Sequence, residues 1–102
     1  MTYNDLYGGL IRLHVLHHAG EEPIFGLGII EELRRHCCEI SAGTLYPMLH
    51  GLEKKGYLLS RQERSGSRAR RIYEITTEGL AALAAAKVKV KELFGELFER
   101  DS

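Results

Sequence analysis

Residues 57–76 carry an extended pattern, while helical spacing governs the sequence on either side of them. Tyr57 to Arg64 forms one limb, entered through Tyr57, Leu58 and Leu59. Ala69 to Thr76 forms the other, with Ile72 and Ile75 separated by Tyr73 and Glu74. Ser65-Gly66-Ser67 joins them as a turn, so the segment reads as a β-hairpin. Five arginines, Arg61, Arg64, Arg68, Arg70 and Arg71, sit on its limbs near the turn.

Three helices precede it. The first, roughly residues 4 to 18, has Leu6, Leu10, Leu13 and His17 at helical spacing, with Ile11 and Val15 beside them. It ends at Ala19-Gly20, and Glu21-Glu22-Pro23 is a loop. The second, about 26 to 38, places Ile29, Ile30, Leu33 and Cys37 on one face and Glu31, Glu32, Arg34 and Arg35 on the other. The third, about 41 to 55, has Ser41 as N-cap, Leu45, Met48, Leu49 and Leu52 as its buried stripe, and Gly56 as its stop. After the hairpin, Thr76-Thr77 opens a last helix with Glu78 well placed in its first turn. That helix is expected to reach about Arg100, roughly 36 Å at a rise of about 1.5 Å per residue. Helix, helix, helix, hairpin, helix is the winged-helix order. The expected fold class is mainly α with a small β-hairpin: a winged helix-turn-helix DNA-binding domain over 1–76 and a long C-terminal dimerisation helix over 77–102.

At 102 residues, with 44% hydrophobic and 27% charged side chains, the chain is one soluble domain's worth of sequence. Its core is modest, so oligomerisation would help it. No apolar run approaches the roughly 18 residues of a membrane span, and Asn4 and Asp5 stand where a secretory signal would be basic. A cytoplasmic protein with no membrane partner is expected. Cys37 and Cys38 are adjacent, poor geometry for bridging to each other, so two free thiols in a reducing compartment are expected. The net charge of zero hides an uneven distribution. Residues 1–40 carry three basic and six acidic side chains, residues 41–71 seven and two, and residues 72–102 four and six. Positive charge gathers in the middle third, as in the footprint of a nucleic-acid binder.

A helix that enters the major groove must keep one face free of the core. The third helix does so, with Gly43, Pro47, His50 and Lys54 opposite its apolar stripe and Tyr46 on the flank. Gly43 lets a phosphate approach the helix N-terminus, Tyr46 and His50 can reach base edges or sugar, and Lys54 and Lys55 suit phosphates. Pro47 is anomalous, because proline inside a helix costs about 3 kcal/mol through a lost hydrogen bond and a clash with the carbonyl four residues back. That residue is Gly43, which can adjust; the plainer alternative is a kink that packs two helices together. Arginines on an exposed ribbon often serve solubility alone. Beside a groove-sized helix, a glycine-tipped ribbon with five of them reads as a phosphate clamp. A winged-helix protein-interaction module is the rival class, although it would more often expose apolar anchors than arginines.

The stretch ISAGTLYPMLHGLEKKGYL, residues 40–58, resembles the signature of the PadR family of transcriptional regulators. RRIYEITTEG at 70–79 and LHHAG at 16–20 extend the likeness over nearly the whole chain. The resemblance implies a dimeric winged-helix repressor, with the third helix in the major groove of double-stranded DNA and the hairpin at the adjacent minor groove; the expected function is a ligand-responsive repressor acting as a homodimer on a palindromic operator. Carried onto this sequence, the DNA-contacting positions would be Ser41, Gly43, Thr44, Tyr46, Pro47, His50 and Lys54, joined by wing residues Gly66, Ser67, Arg68 and Arg70. Charge adds Arg64 and Arg71. Some members bind flat aromatic compounds stacked on tryptophan at the dimer interface; this chain has no tryptophan and departs from that mode.

In the terminal helix, Leu83, Ala86, Val90, Leu93 and Leu97 recur at steps of three and four, a heptad seam flanked by Leu80, Phe94 and Phe98. A helix that long outruns its own domain, so its apolar face wants a partner, expected to be a second copy; the plainer alternative is that it folds back on its own domain. The resemblance points the same way, since short family members dimerise through a single C-terminal helix. His14, His17 and His18 on the first helix, and His36, Cys37 and Cys38 at the end of the second, form a ligand set that suits zinc or cadmium. Their spacing is not that of a zinc finger, and the plain reading is partly buried helix residues with Cys37 as a small hydrophobe. A metal-responsive regulator using these groups is therefore an alternative, with a small molecule or a metal as candidate effector. Catalysis has no support: no nucleophile–base–acid set or phosphate loop is found, and no cofactor is expected.

Overall fold

In the computed structural model, which describes residues 4–99, the helical and extended patterns become seven elements. They are α1 (Asn4–Glu21), β1 (Ile24–Phe25), α2 (Gly26–His36), α3 (Ala42–Lys54), β2 (Leu58–Ser65), β3 (Arg68–Ile75) and α4 (Thr77–Phe94). A π-helical turn, Gly95–Glu99, continues α4, because Gly95 keeps helical dihedrals and does not end it. Arg100, the expected end of this helix, lies outside the described residues.

The core is assembled from the inner faces of all four helices and the sheet. Ile11, Val15, Leu16 and Ala19 of α1 meet Ile29 and Leu33 of α2, the Leu45, Met48, Leu49 and Leu52 stripe of α3, Leu58 and Tyr73 of the sheet, and Leu83 of α4. Local chemistry sets the ends of α3. The Thr44 N–H donates to the Ser41 side chain at 3.3 Å, making Ser41 the N-cap. At the other end Gly56 has φ +87, Tyr57 N–H donates to the Leu52 carbonyl and Gly56 N–H to the Glu53 carbonyl. That paired closure is a Schellman motif, which needs a residue content in the left-handed region. The hairpin register pairs Ser65 with Arg68, leaving a two-residue Gly66-Ser67 turn. Gly66, at φ +66, supplies the positive dihedral that such a turn demands at its first position.

The expected fold class and hairpin are present, the hairpin gains a third strand, and three expectations are corrected. The small hairpin is part of a three-stranded antiparallel sheet of order β1-β3-β2, because Ile24 and Phe25 pair with Tyr73 and Ile72. A two-residue strand is too short to display any alternation, so it leaves no periodic signal. The first helix does not stop at Gly20 but continues to Glu21, since Ala19 beside Gly20 is buried in the core and tertiary packing outweighs the glycine's weak helix propensity. The second helix ends at His36, where Cys37 turns out of helical geometry at φ −141 and ψ −71. Cys37 and Cys38 are joined to each other as a disulfide and are not free thiols. The two Cα atoms are 3.7 Å apart, closer than in most disulfides. The turn at Cys37 is the departure from helix that lets the two sulfurs meet.

Candidate nucleic-acid interface

Burying Leu45, Met48, Leu49 and Leu52 forces the opposite side of α3 outward. Ser41, Gly43, Thr44, Tyr46, Pro47, His50 and Lys54 are all exposed. They do not form one uniform strip. Ser41 and Thr44 hold each other, hydroxyl to hydroxyl at 3.2 Å, as part of the cap. Pro47 lies on the α1 side, lining a groove with Arg12, Leu13 and Lys55, and α3 runs through it unbroken. Tyr46 leans the other way, its hydroxyl end packed against Gly26 at the start of α2. There it lines a cleft with Phe25, Leu27, Arg68 and Arg70. The cleft brings the flank of α3 and the arginine ribbon to one place.

Within the ribbon the arginines divide. Arg61 pairs with Glu74 at 3.3 Å and Glu63 at 3.6 Å, and Arg70 pairs with Glu63 at 3.4 Å while its guanidinium lies 4.0 Å over the Phe25 ring. Arg71 donates to the Ser60 hydroxyl at 2.9 Å. Arg64 and Arg68, nearest the Gly66-Ser67 turn, have no ion-pair partner among the described residues. The internal pairs are exposed, worth about 0–1 kcal/mol each, so a stronger anion can displace them.

The ribbon is anchored to α3 at its root. Glu53 accepts from the Ser60 N–H at 3.1 Å and from the Ser60 hydroxyl at 2.6 Å, and that same hydroxyl accepts from Arg71. Beneath it, burial, with Glu53 close by, pushes the Tyr73 hydroxyl above its ordinary range, so it stays protonated at neutral pH. Sequence reasoning missed Phe25, Gly26, Glu53 and Ser60. Register alone reveals the Glu63–Arg70 pairing, and the only local hint at Gly26 was a glycine directly after an aromatic residue.

The sequence profile described as "Transcriptional regulator PadR-like family" matches residues 15–85, well over half of the chain. The chain belongs to the PadR-like family. It is 45% identical, over 87 residues covering 85% of this chain and 81% of the relative, to the transcriptional regulator Rv3488 of Mycobacterium tuberculosis. Its fold matches the crystal structure of a PadR family transcriptional regulator from Eggerthella lenta with a TM-score of 0.81 and 33% identity, covering 95% of this chain and 88% of that one. Bacillus subtilis PadR, solved in complex with operator DNA, shares the fold at a TM-score of 0.71 and 17% identity, over 78% of this chain and 47% of that one. The chain is thus a PadR-like winged-helix transcriptional regulator, and its work is regulation rather than catalysis. No helix among the described residues is long and apolar enough to cross a membrane.

Other expected sites in this PadR-like chain fall into two regions. Along α4, Leu83 is buried in the domain's own core, while Val90, Leu93, Phe94 and Leu97 are 44–63% exposed. Ala86, Val90 and Phe94 face Leu10 and Leu13 of α1 across an apolar groove. At the far end of α1, His14 stacks on His18 and His17 meets the His18 ring edge-on, with His36 of α2 stacked 6.3 Å from the His18 ring. Burial, reinforced by the neighbouring His18, His17 and His36, pushes the His14 pKa below the ordinary histidine value. Cys37 and Cys38 stand apart, bonded to each other and partly buried against the core.

Proposed function

We propose that this PadR-like regulator is a repressor that binds a palindromic duplex-DNA operator as a homodimer. In this reading α3 enters the major groove, with Gly43, Tyr46 and His50 near bases and sugars and Lys54 on phosphate. The Gly66-Ser67 turn and its arginines hold the adjacent minor groove. The observation that carries the proposal is the meeting of α3 and the arginine ribbon at the Tyr46 cleft, with Arg64 and Arg68 beside the turn and without an ion-pair partner among the described residues. The Bacillus subtilis PadR–operator complex, which shares this fold, supports it.

The dimer rests on α4. Seven large apolar side chains between Leu80 and Phe98 are at least 44% exposed, and Leu6 and Leu10 of α1 add to them. A monomer seldom leaves so much large apolar side chain in water, and a second copy is self-complementary to it. Residues 1–76 are then the DNA-binding unit and 77–102 the dimerising helix. Two recognition helices so joined read half-sites about 34 Å apart. Ligand responsiveness belongs to the same proposal, because a ligand alters DNA affinity only by favouring one arrangement of the two units.

Selection of bound fragments from a random duplex pool, followed by a salt titration, tests it. Three phosphate contacts per protomer, from Lys54, Arg64 and Arg68, give a log–log salt slope of about −5 for a dimer. Failure to retain any duplex at low salt, or a slope near zero, would overturn the proposal.

A further inference from the structure

The last turn of α1 carries His17 and His18 followed one turn later by Glu21. Helical spacing of three and four residues puts all three on one side. Glu21 Oε1 stands 3.7 Å from His17 Nε2 and 3.8 Å from His18 Nδ1. Those distances are nearly equal and too long for a hydrogen bond to either ring. One donor atom from each residue lies within 4.8 Å of the other two. Around a first-row ion with ligand distances of about 2.1 Å, neighbouring ligand atoms are roughly 3.0–3.4 Å apart. Closing the remaining ångström or so needs only rotamer adjustment, because the His17 and Glu21 side chains are 50% and 64% exposed.

A second element faces the same place. His36, in the last turn of α2, stacks on His18, pairs with Glu32 at 3.5 Å, and lines one pocket with His18, Glu21 and Glu32. We propose that His17, His18 and Glu21 form a binding site for a divalent transition-metal ion, completed across the pocket by His36. Two or three imidazoles with one carboxylate select zinc, cobalt or nickel over calcium or magnesium, which favour oxygen-only shells. The cysteines are excluded from the site, since each sulfur is bonded to the other and neither is a thiolate. His14 supports the cluster by stacking on His18 at a centroid distance of 6.3 Å but lies outside the trio. The ion would tie the end of α1 to the end of α2. Neither α3 nor the arginine ribbon takes part, so the site stands or falls apart from the DNA-binding reading.

The test is titration of the tag-free full-length chain with cobalt(II), followed by visible absorption, and with zinc, followed by calorimetry. The wild type is expected to shift the cobalt d–d bands away from those of the aqua ion. Glu21→Gln and His17→Gln each lower affinity by more than about tenfold, the range that loss of even an outer-shell partner reaches. His36→Gln gives a smaller loss, and the Cys37→Ser, Cys38→Ser double variant binds as the wild type does. Circular dichroism of each metal-free variant checks that it folds. An unshifted cobalt spectrum with the wild type, wild-type affinity in both Glu21→Gln and His17→Gln, or abolished binding in the cysteine variant would each overturn the proposal. The first of these outcomes would leave Glu21 as a polar neighbour of the two imidazoles at the end of α1.

Discussion

Gly79→Ala sets two physical effects of opposite sign against each other. On helix propensity alone, alanine should stabilise α4 by up to about 1 kcal/mol. Gly79 is the third residue of α4, however, and it is buried where the helix leaves the sheet. An added Cβ would collide with the Tyr57 carbonyl oxygen, with the Tyr57 carbonyl carbon at 3.1 Å and Ile75 Cγ1 at 2.7 Å. The carbonyl cannot swing aside freely, because it accepts the Thr76 N–H at 3.0 Å. Thr76 is itself fixed on both sides: its hydroxyl caps Gly79 N–H at 3.0 Å and donates to the Gly56 carbonyl at 2.5 Å. Overpacking of this kind costs about 1–3 kcal/mol, and weakening the Thr76–Tyr57 bond adds about 0.5–1.5. Set against the propensity gain, the expected net loss is about 1–3 kcal/mol. For a domain of this size that lowers Tm by roughly 5–20 °C, read by circular dichroism at one fixed protein concentration. Gly51→Ala in α3 is the control, because nothing lies within 4 Å of its added Cβ and propensity alone should hold or raise Tm. A Gly79→Ala protein melting at or above the wild type would refute the packing argument.

Three further outcomes follow from the interface and the dimer. Arg64→Ala with Arg68→Ala, which removes the two arginines without internal partners, should weaken binding to all duplexes and flatten the salt slope by about two units per protomer; Arg61→Ala should do less, because its charge is already shared with Glu63 and Glu74. Gly26→Ala is expected to leave the melt nearly unchanged yet alter DNA sequence preference, because the atoms its Cβ meets are the far end of the Tyr46 side chain; preference identical to the wild type in a binding-site selection would remove Tyr46 from the reading surface. Leu93→Asp places a carboxylate on the exposed face of α4, where pairing without a partner charge costs several kcal/mol, so light scattering should report monomers and operator binding should fall with them.

How much of this was legible in the sequence depended on whether a feature was local. The third helix could be read almost residue by residue, since its cap, stripe and stop are each set within a few positions of Ser41, Leu49 and Gly56. The first helix was only half legible. Its sequence supports two apolar faces, Leu6 and Leu10 on one and Ile11, Val15 and Leu16 on another, and periodicity cannot say which is the core. The structure buries the second and leaves the first at 76% and 47% exposure. Long-range pairing was not legible at all: β1 exists only because β3 lies beside it, and Phe25 sits under Arg70 only because of that strand. The disulfide depended on one backbone turn at Cys37, which no pattern encodes.

The same distinction explains why counting charges overstated the hairpin. Five arginines in eleven residues look like five free cations, yet the antiparallel register sets Glu63 opposite Arg70 and brings Glu74 within reach of Arg61. What register removes from the base of the ribbon it leaves at the tip, where Arg64 and Arg68 flank the turn. Positive charge without a carboxylate partner among the described residues therefore remains at Arg64 and Arg68 beside the turn, and at Arg71, which holds only the neutral Ser60 hydroxyl. The root is held to α3 through Glu53, Ser60 and Arg71. A ribbon fixed at its base and charged at its tip holds its cations at a set position relative to α3, which a uniformly charged, loosely attached hairpin would not do. On the proposed DNA-binding reading, the weak internal pairs at Arg61 and Arg70 would be a reserve, held by Glu63 and Glu74 until a phosphate competes for them.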